Sequence, residues 1–185
     1  MSAEPTLVLI GPGGVGKGTV ARELVGRDPT LWLSRSWTTR ARRPGEVDEY
    51  VFVDEPTFRA AIERGAFLEW ASFHGHLYGS PIPTPGPGQR VLREIEVQGA
   101  AQVLAREPSA IVVLIVPPSD EELAARLRGR GDDEEHIADR LASADAEIRT
   151  GRELTDHVVV NDDVATAADQ ILSILAGPHR AGEPS

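Results

Sequence analysis

The sequence predicts a parallel α/β sheet with helices on both faces, and three observations carry that expectation. Short continuous apolar runs recur along the chain, a helix-forming stretch follows each of them, and the two patterns alternate. Thr6 to Ile10 (TLVLI) opens the series, and a helix is predicted over Lys17 to Val25 with Val20, Leu24 and Val25 facing inward. Further runs at Val91 to Ile95, Ile111 to Val116 and His157 to Val160 precede predicted helices over Val97 to Arg106, Ser119 to Arg128 and Val164 to Leu175. Unbroken apolar runs suit strands buried on both faces, as in a sheet whose crossovers are helical. Ser119 stands three residues before Glu122, the spacing of a capping box.

Two stretches depart from this rhythm. Between Leu33 and Ser80, short strands (Tyr50 to Val53 and Phe67 to Phe73) surround one helix (Glu55 to Arg64), which predicts a small α+β insertion. An arginine- and acid-rich helical stretch from Gly129 to Thr150 reads as a solvated face or a lid. Pro81 to Gly88 (PIPTPGPG) must be an irregular loop. The expected organisation is one domain over 1–185: a core of about 1–32, 90–128 and 151–176, an insertion at 33–89, a lid at 129–150 and a disordered tail at 177–185.

Composition narrows the function classes. A chain of 185 residues with 41% hydrophobic and 26% charged residues fits one globular domain. No apolar run approaches the ~20 residues of a membrane span, and the N-terminus lacks the basic and apolar regions of a secretory signal. A net charge of -10 argues against nonspecific binding to nucleic acid or anionic membrane. With no cysteine and five scattered histidines, no metal-ligand set is expected. A soluble cytoplasmic protein, monomeric or a small homo-oligomer, is the expectation.

Gly11-Pro12-Gly13-Gly14-Val15-Gly16-Lys17 satisfies G-x-x-x-x-G-K and lies between a predicted strand and a predicted helix. Glycines let successive backbone N–H groups converge on phosphate oxygens, and the helix N-terminus adds its positive end. Lys17 is the only lysine beside 18 arginines, and it falls where a compact ammonium suits the chemistry better than a planar fork. The following residues are Gly18 and Thr19, where Ser or Thr at the first position usually binds magnesium; GKGT resembles the loop of adenylate kinases. Nucleotide phosphate binding by Gly11, Gly13, Gly14, Val15, Gly16, Lys17, Gly18 and Thr19 is therefore expected, with magnesium carried by the nucleotide.

Other segments say what accepts the phosphate. They are S-R-S-W-T-T-R-A-R-R-P-G-E (Ser34 to Glu46), Tyr50, F-L-E-W (Phe67 to Trp70) and H-L-Y-G-S (His76 to Ser80), then V-Q-G (Val97 to Gly99), R-L-R-G-R-G (Arg126 to Gly131) and V-V-N-D-D (Val159 to Asp163). Together, in order from about Thr6 to Leu175, they resemble guanylate kinase, a P-loop nucleoside monophosphate kinase. The resemblance implies a P-loop NTPase core with a GMP-binding insertion and a helical lid. It also implies transfer of the γ-phosphoryl group of ATP to GMP, and to dGMP, with ATP as co-substrate.

Carried over residue by residue, the resemblance assigns Arg40, Arg43, Tyr50 and Tyr78 to the GMP phosphate, and Ser36, Glu69 and Ser80 to the guanine. Guanidinium and phenol groups are good donors to a phosphate dianion. A carboxylate can accept from guanine N1–H and the N2 amino group together, which adenine cannot supply. Arg126, Arg130 and Arg140 match lid positions that converge on the transferring phosphates, and Asn161 matches an adenine-side contact. Where the family reads D-x-D, acids that face the guanine and the magnesium–phosphate zone, this chain has Glu94-Ile95-Glu96, both carboxylates on one face and one methylene longer, so the resemblance implies that Glu94 and Glu96 belong to the GMP site. Relative to the family, two residues are missing between Glu46 and Tyr50, and the proline-rich loop replaces a helix. Two alternatives remain at this point: a guanylate-kinase-like module that binds a protein without turnover, and a P-loop kinase acting on a ribose phosphate.

Overall fold

In the computed structural model, which describes residues 4–42, 50–73 and 75–177, the chain begins with β1 (Leu7–Ile10) and α1 (Lys17–Arg27). The core strand β2 (Leu31–Ser34) comes next, and then the insertion: β3 (Trp37–Thr38), β4 (Val51–Phe52), α2 (Glu55–Glu63), β5 (Phe67–Phe73) and β6 (His76–Pro81). The chain then returns through β7 (Arg90–Glu94), α3 (Val97–Arg106), β8 (Ile111–Val116) and α4 (Asp120–Gly129). It ends with α5 (Glu134–Leu154), β9 (Val158–Val160) and α6 (Val164–Ala176).

Five strands form the core sheet in the order β2-β7-β1-β8-β9, every pairing parallel. All four residues of β1 are buried, and they divide by face as the pleat requires. Leu7 and Leu9 pack with Val20, Leu24, Ala167 and Ile171 from α1 and α6. Val8 and Ile10 pack with Val97, Ala100 and Val103 of α3, and with Ile148 and Leu154 of α5. Each such leucine, isoleucine or valine contributes ~1.5–3 kcal/mol on burial, so the two faces rather than local propensity hold the sheet. The helix after β8 is capped as its sequence implies, since Ser119 Oγ accepts from the Glu122 N–H at 3.2 Å.

A second, four-stranded sheet of order β4-β3-β6-β5 makes the insertion. Its core is a small aromatic cluster under α2, where Phe58 stacks on Phe67 at 4.6 Å and Trp37 meets Phe67 edge-on at 5.5 Å. Asp54 caps α2 by accepting from the Thr57 N–H at 2.9 Å. On the core side, β5 is tied to α3: Arg106 donates to the Leu68 carbonyl, and Gln102 Nε2 to the Trp70 carbonyl at 3.3 Å. That seam fixes the insertion against α3.

Some boundaries differ from the sequence reading. Leu31–Ser34 pairs with β7 and belongs to the core sheet, so the core runs past residue 32. Helix α5 is continuous across residue 150, its N-terminal half against α4 and its C-terminal half on the sheet. Pro81 ends β6, and the rest of the proline-rich stretch carries no strand or helix before β7. Arg43, the shortened turn before Tyr50 and the tail beyond Gly177 lie outside the described residues.

Candidate active site

The loop between β1 and α1 lies at the C-terminal end of the middle strand, the crevice where ligands bind in open parallel sheets. Gly16 caps α1 in the left-handed region (φ 96), a conformation that a side chain would strain. Lys17 is buried, and its Nζ donates to the Gly11 carbonyl at 2.7 Å and the Pro12 carbonyl at 3.3 Å. The ammonium is thus held by the loop's own carbonyls.

Above the loop, a cavity of about 680 Å³ is lined by Gly13, Gly14, Gly16, Lys17, Gly18, Thr19, Arg40, Arg130 and Arg140. Arg140, from α5, lies directly on Gly13: a Cβ there would fall 2.2 Å from Nη1. A second cavity of about 440 Å³ continues inward, lined by Ser36, Glu69, Ala71, Ile95, Gln98 and Gly99. Lys17, Tyr50, Phe73, Tyr78, Glu94 and Glu96 line both, so the two are halves of one cleft. The cleft therefore has a cationic outer end and a narrow inner end bearing one deep carboxylate.

That carboxylate is Glu69 on β5, which is 5% exposed. Its Oε1 accepts from the Ser80 N–H at 3.0 Å. Its Oε2 lies over Gly99, where a Cβ would sit 2.7 Å away. Burial pushes the Glu69 carboxyl above its ordinary range, while the Ser80 hydrogen bonds and the Arg93 charge pull it back. Ser36 Oγ lies 3.4 Å from Ser80 Oγ and donates to the Glu94 carbonyl at 3.3 Å, so both hydroxyls are fixed beside Glu69. The side wall is aromatic: Tyr50 meets Tyr78 at 6.0 Å, and Phe73 meets Tyr78 at 6.4 Å. Burial first, and then Glu94, Glu96 and Tyr78, hold the Tyr50 phenol well above its usual pKa, so it stays a neutral O–H donor. The Arg40 guanidinium stands 5.6 Å from the Tyr50 ring centre.

Glu94 and Glu96 face the junction of the two halves. A Cβ on residue 18 would lie 3.0 Å from Glu94 Oε2, so Gly18 leaves the room that the longer acid uses. Glu96 Oε2 is buried with no hydrogen-bond partner. Among the described residues, no group of three His, Cys, Asp or Glu side chains is arranged to hold a metal ion.

Five of the described residues singled out from sequence do not line the cleft: Gly11, Val15, Ser80, Arg126 and Asn161. Arg126 pairs with Glu122 at 2.9 Å and donates to the Val15 carbonyl at 3.3 Å. Asn161 is buried and gives its Nδ2 to the same carbonyl at 2.8 Å. Both hold the loop from behind. Conversely, Glu147 on α5 was not singled out, though burial and the nearby Glu96 raise its carboxyl to about 7 against the opposing pull of Lys17 and Arg140. The signal for it was available, because Glu147 is seven residues beyond Arg140 and shares its helix face.

A parallel sheet with a phosphate loop at its middle strand, an inserted base-sized pocket and an arginine-bearing helical lid defines the class of P-loop phosphotransferases. The family model described as guanylate kinase matches residues 3–177. A guanylate kinase of Thermobifida fusca is 46% identical over 178 residues, 92% of this chain and 90% of that protein. One from Thermus thermophilus is 47% identical, covering 94% of this chain and 81% of its own length. The crystal structure of guanylate kinase from Anaplasma phagocytophilum superposes with a TM-score of 0.78 at 33% identity, covering 97% of this chain and 88% of that one. The chain belongs to the guanylate kinase family.

Proposed function

We propose that this protein transfers the γ-phosphoryl group of ATP to GMP, and to dGMP, giving ADP and the corresponding diphosphate. The observation that carries the reading is the single cleft with Glu69 at its inner end and Lys17, Arg130 and Arg140 at its outer end. Guanine would enter against Glu69, Ser36 and Ser80, its N1–H and N2 amino group shared by the carboxylate. The GMP phosphate would then lie beside Tyr50, Tyr78 and Arg40, with Arg43 as a further donor. ATP would place its β- and γ-phosphates on the loop from Gly11 to Thr19.

A GMP phosphate oxygen attacks the γ-phosphorus in line while the bond to the β–γ bridging oxygen breaks and ADP leaves with that electron pair. No general base is required, because the attacking oxygen is already ionised near neutral pH. Lys17, Arg130 and Arg140 stabilise charge on the equatorial and bridging oxygens. Arg126 and Asn161 keep the Val15 carbonyl, and with it the loop, in place. Glu96, whose Oε2 is buried without a hydrogen-bond partner, would help to hold the magnesium that accompanies ATP, and the ion would supply further charge neutralisation when bound. Closing the lid over the cleft would exclude water and suppress ATP hydrolysis.

None of the helices in the described residues is long and apolar enough to cross a membrane. The proposed setting is cytoplasmic, which a cysteine-free chain with nucleotide substrates supports. A coupled assay of ADP formation with GMP, dGMP, AMP and a ribose bisphosphate tests the reading. It expects turnover with the two guanine nucleotides and little with the others; turnover with none of them would return the chain to the class of binding modules.

A further inference from the structure

Arg93 has no role in the chemistry above, yet it is the largest fully buried side chain among the described residues. None of its three guanidinium nitrogens has a hydrogen-bond partner. A lone buried cation is among the more expensive features a fold can carry, and arginine is almost never fully buried unless paired. Its place in the fold shows what it faces. In β7 it pairs in register with Val8 of β1 and Ser34 of β2, and Val8 belongs to the face covered by α3. On that side β5 packs on α3 and brings Glu69, while Glu107 closes the helix and accepts from Thr6 Oγ1 at 2.5 Å. Glu107 and Glu69 are the two carboxylates whose charges act on Arg93.

We infer that Arg93 is a positioning residue for guanine recognition: its buried guanidinium is the counter-charge that keeps Glu69 an acceptor of two N–H donors at once. This rests on the reading of Glu69 as the guanine acceptor. The chemistry is asymmetric in a useful way. A carboxylate takes N1–H and the N2 amino group together, whereas a carboxylic acid turns an O–H toward one of them. Glu69 is buried, and Glu96 at the start of α3 adds a like charge, so both favour the protonated form. Against them stand the Ser80 N–H and Arg93. Lys17, Glu94, Tyr50 and Tyr78 line the same cavity.

The test uses the full chain and measures KM for GMP and kcat between pH 6 and 8 for wild type, R93M, R93K, E69Q and the R93M/E69Q double variant. Because R93M lets Glu69 protonate at a higher pH, its KM relative to wild type is expected to rise about tenfold at pH 6 and less at pH 8, with kcat within about threefold. Taking the ratio to wild type removes the titration of GMP itself. R93K keeps the charge and stays near wild type, and R93M adds nothing to E69Q. A KM ratio that is flat with pH, additive effects in the double variant, or loss of the fold in R93M but not R93K would each overturn the inference. An E69Q variant with unchanged KM for GMP would instead sink the guanine reading on which it rests.

Discussion

At the outer end of the cleft, the groups that would meet the substrates are backbone N–H groups of a glycine loop and cations on long side chains. Arg130 there is exposed, and Arg40 and Arg140 are half-buried. At the inner end they are a deep carboxylate and two serine hydroxyls, each fixed by a neighbour and nearly inaccessible. The difference matches the two tasks. Phosphates are recognised by charge and tolerate adjustable donors, whereas a base is distinguished by which buried polar groups it leaves unpaired. Damage at the outer end should therefore appear in kcat, and damage at the inner end in KM for GMP and in acceptor choice.

The largest effect should come from K17R. Charge is kept, but a forked guanidinium does not fit under the loop, so kcat should fall on the order of a thousandfold. Near-normal turnover would show that the outer end reads charge alone. R140A removes the cation resting on Gly13 and should lower kcat about a hundredfold while KM for GMP moves little. A rise confined to KM for GMP would erase the distinction between the two ends.

G99A works on the inner end without touching a charge. Its Cβ would fall 2.7 Å from Glu69 Oε2, so the carboxylate must shift, and KM for GMP should rise about tenfold at constant kcat. Unchanged kinetics would mean that Glu69 has room to move without consequence.

The smallest effect is one of stability, at Glu147, whose carboxyl feels the charge of Glu96. Folding raises Glu147 from 4.5 to about 7, so the folded chain holds a proton that the unfolded chain has released across that range. The stability this group contributes is present below pH 4.5 and is lost as pH climbs through 7. E147Q should therefore melt close to wild type at pH 4.5 and above it at pH 8. A melting gap that does not change with pH would show that Glu147 titrates as an ordinary exposed acid.

The two ends also differed in how far they could be read from sequence. The phosphate loop is contiguous, and its neighbours in sequence supply the strand and the helix that aim it. Only residues scattered from Ser36 to Gly99 make the inner end, and it was legible only through several short motifs taken together. Strand β6 was missed because H-L-Y-G-S-P has weak strand propensity; it is held by pairing with β3 and β5 on either side. Arg93 was missed for a different reason. Amid V-L-R-E-I-E it looks like ordinary alternation, and only the packing of α3 and β5 shows that no water reaches it. Gly99 could be quoted as part of V-Q-G, but the reason for a glycine there is the Glu69 carboxylate from another strand.

The central claim is that Glu69, held in the inner half of one continuous cleft, selects guanine for a phosphoryl transfer performed at the other end. The most direct measurement is the ratio of kcat/KM for GMP to that for AMP, in wild type and in E69Q. The account predicts a strong preference for GMP in wild type that collapses by about a hundredfold in E69Q, through the loss of GMP, with KM for ATP unchanged. A wild-type enzyme indifferent to the base, or an E69Q variant that keeps its preference for GMP, would contradict it.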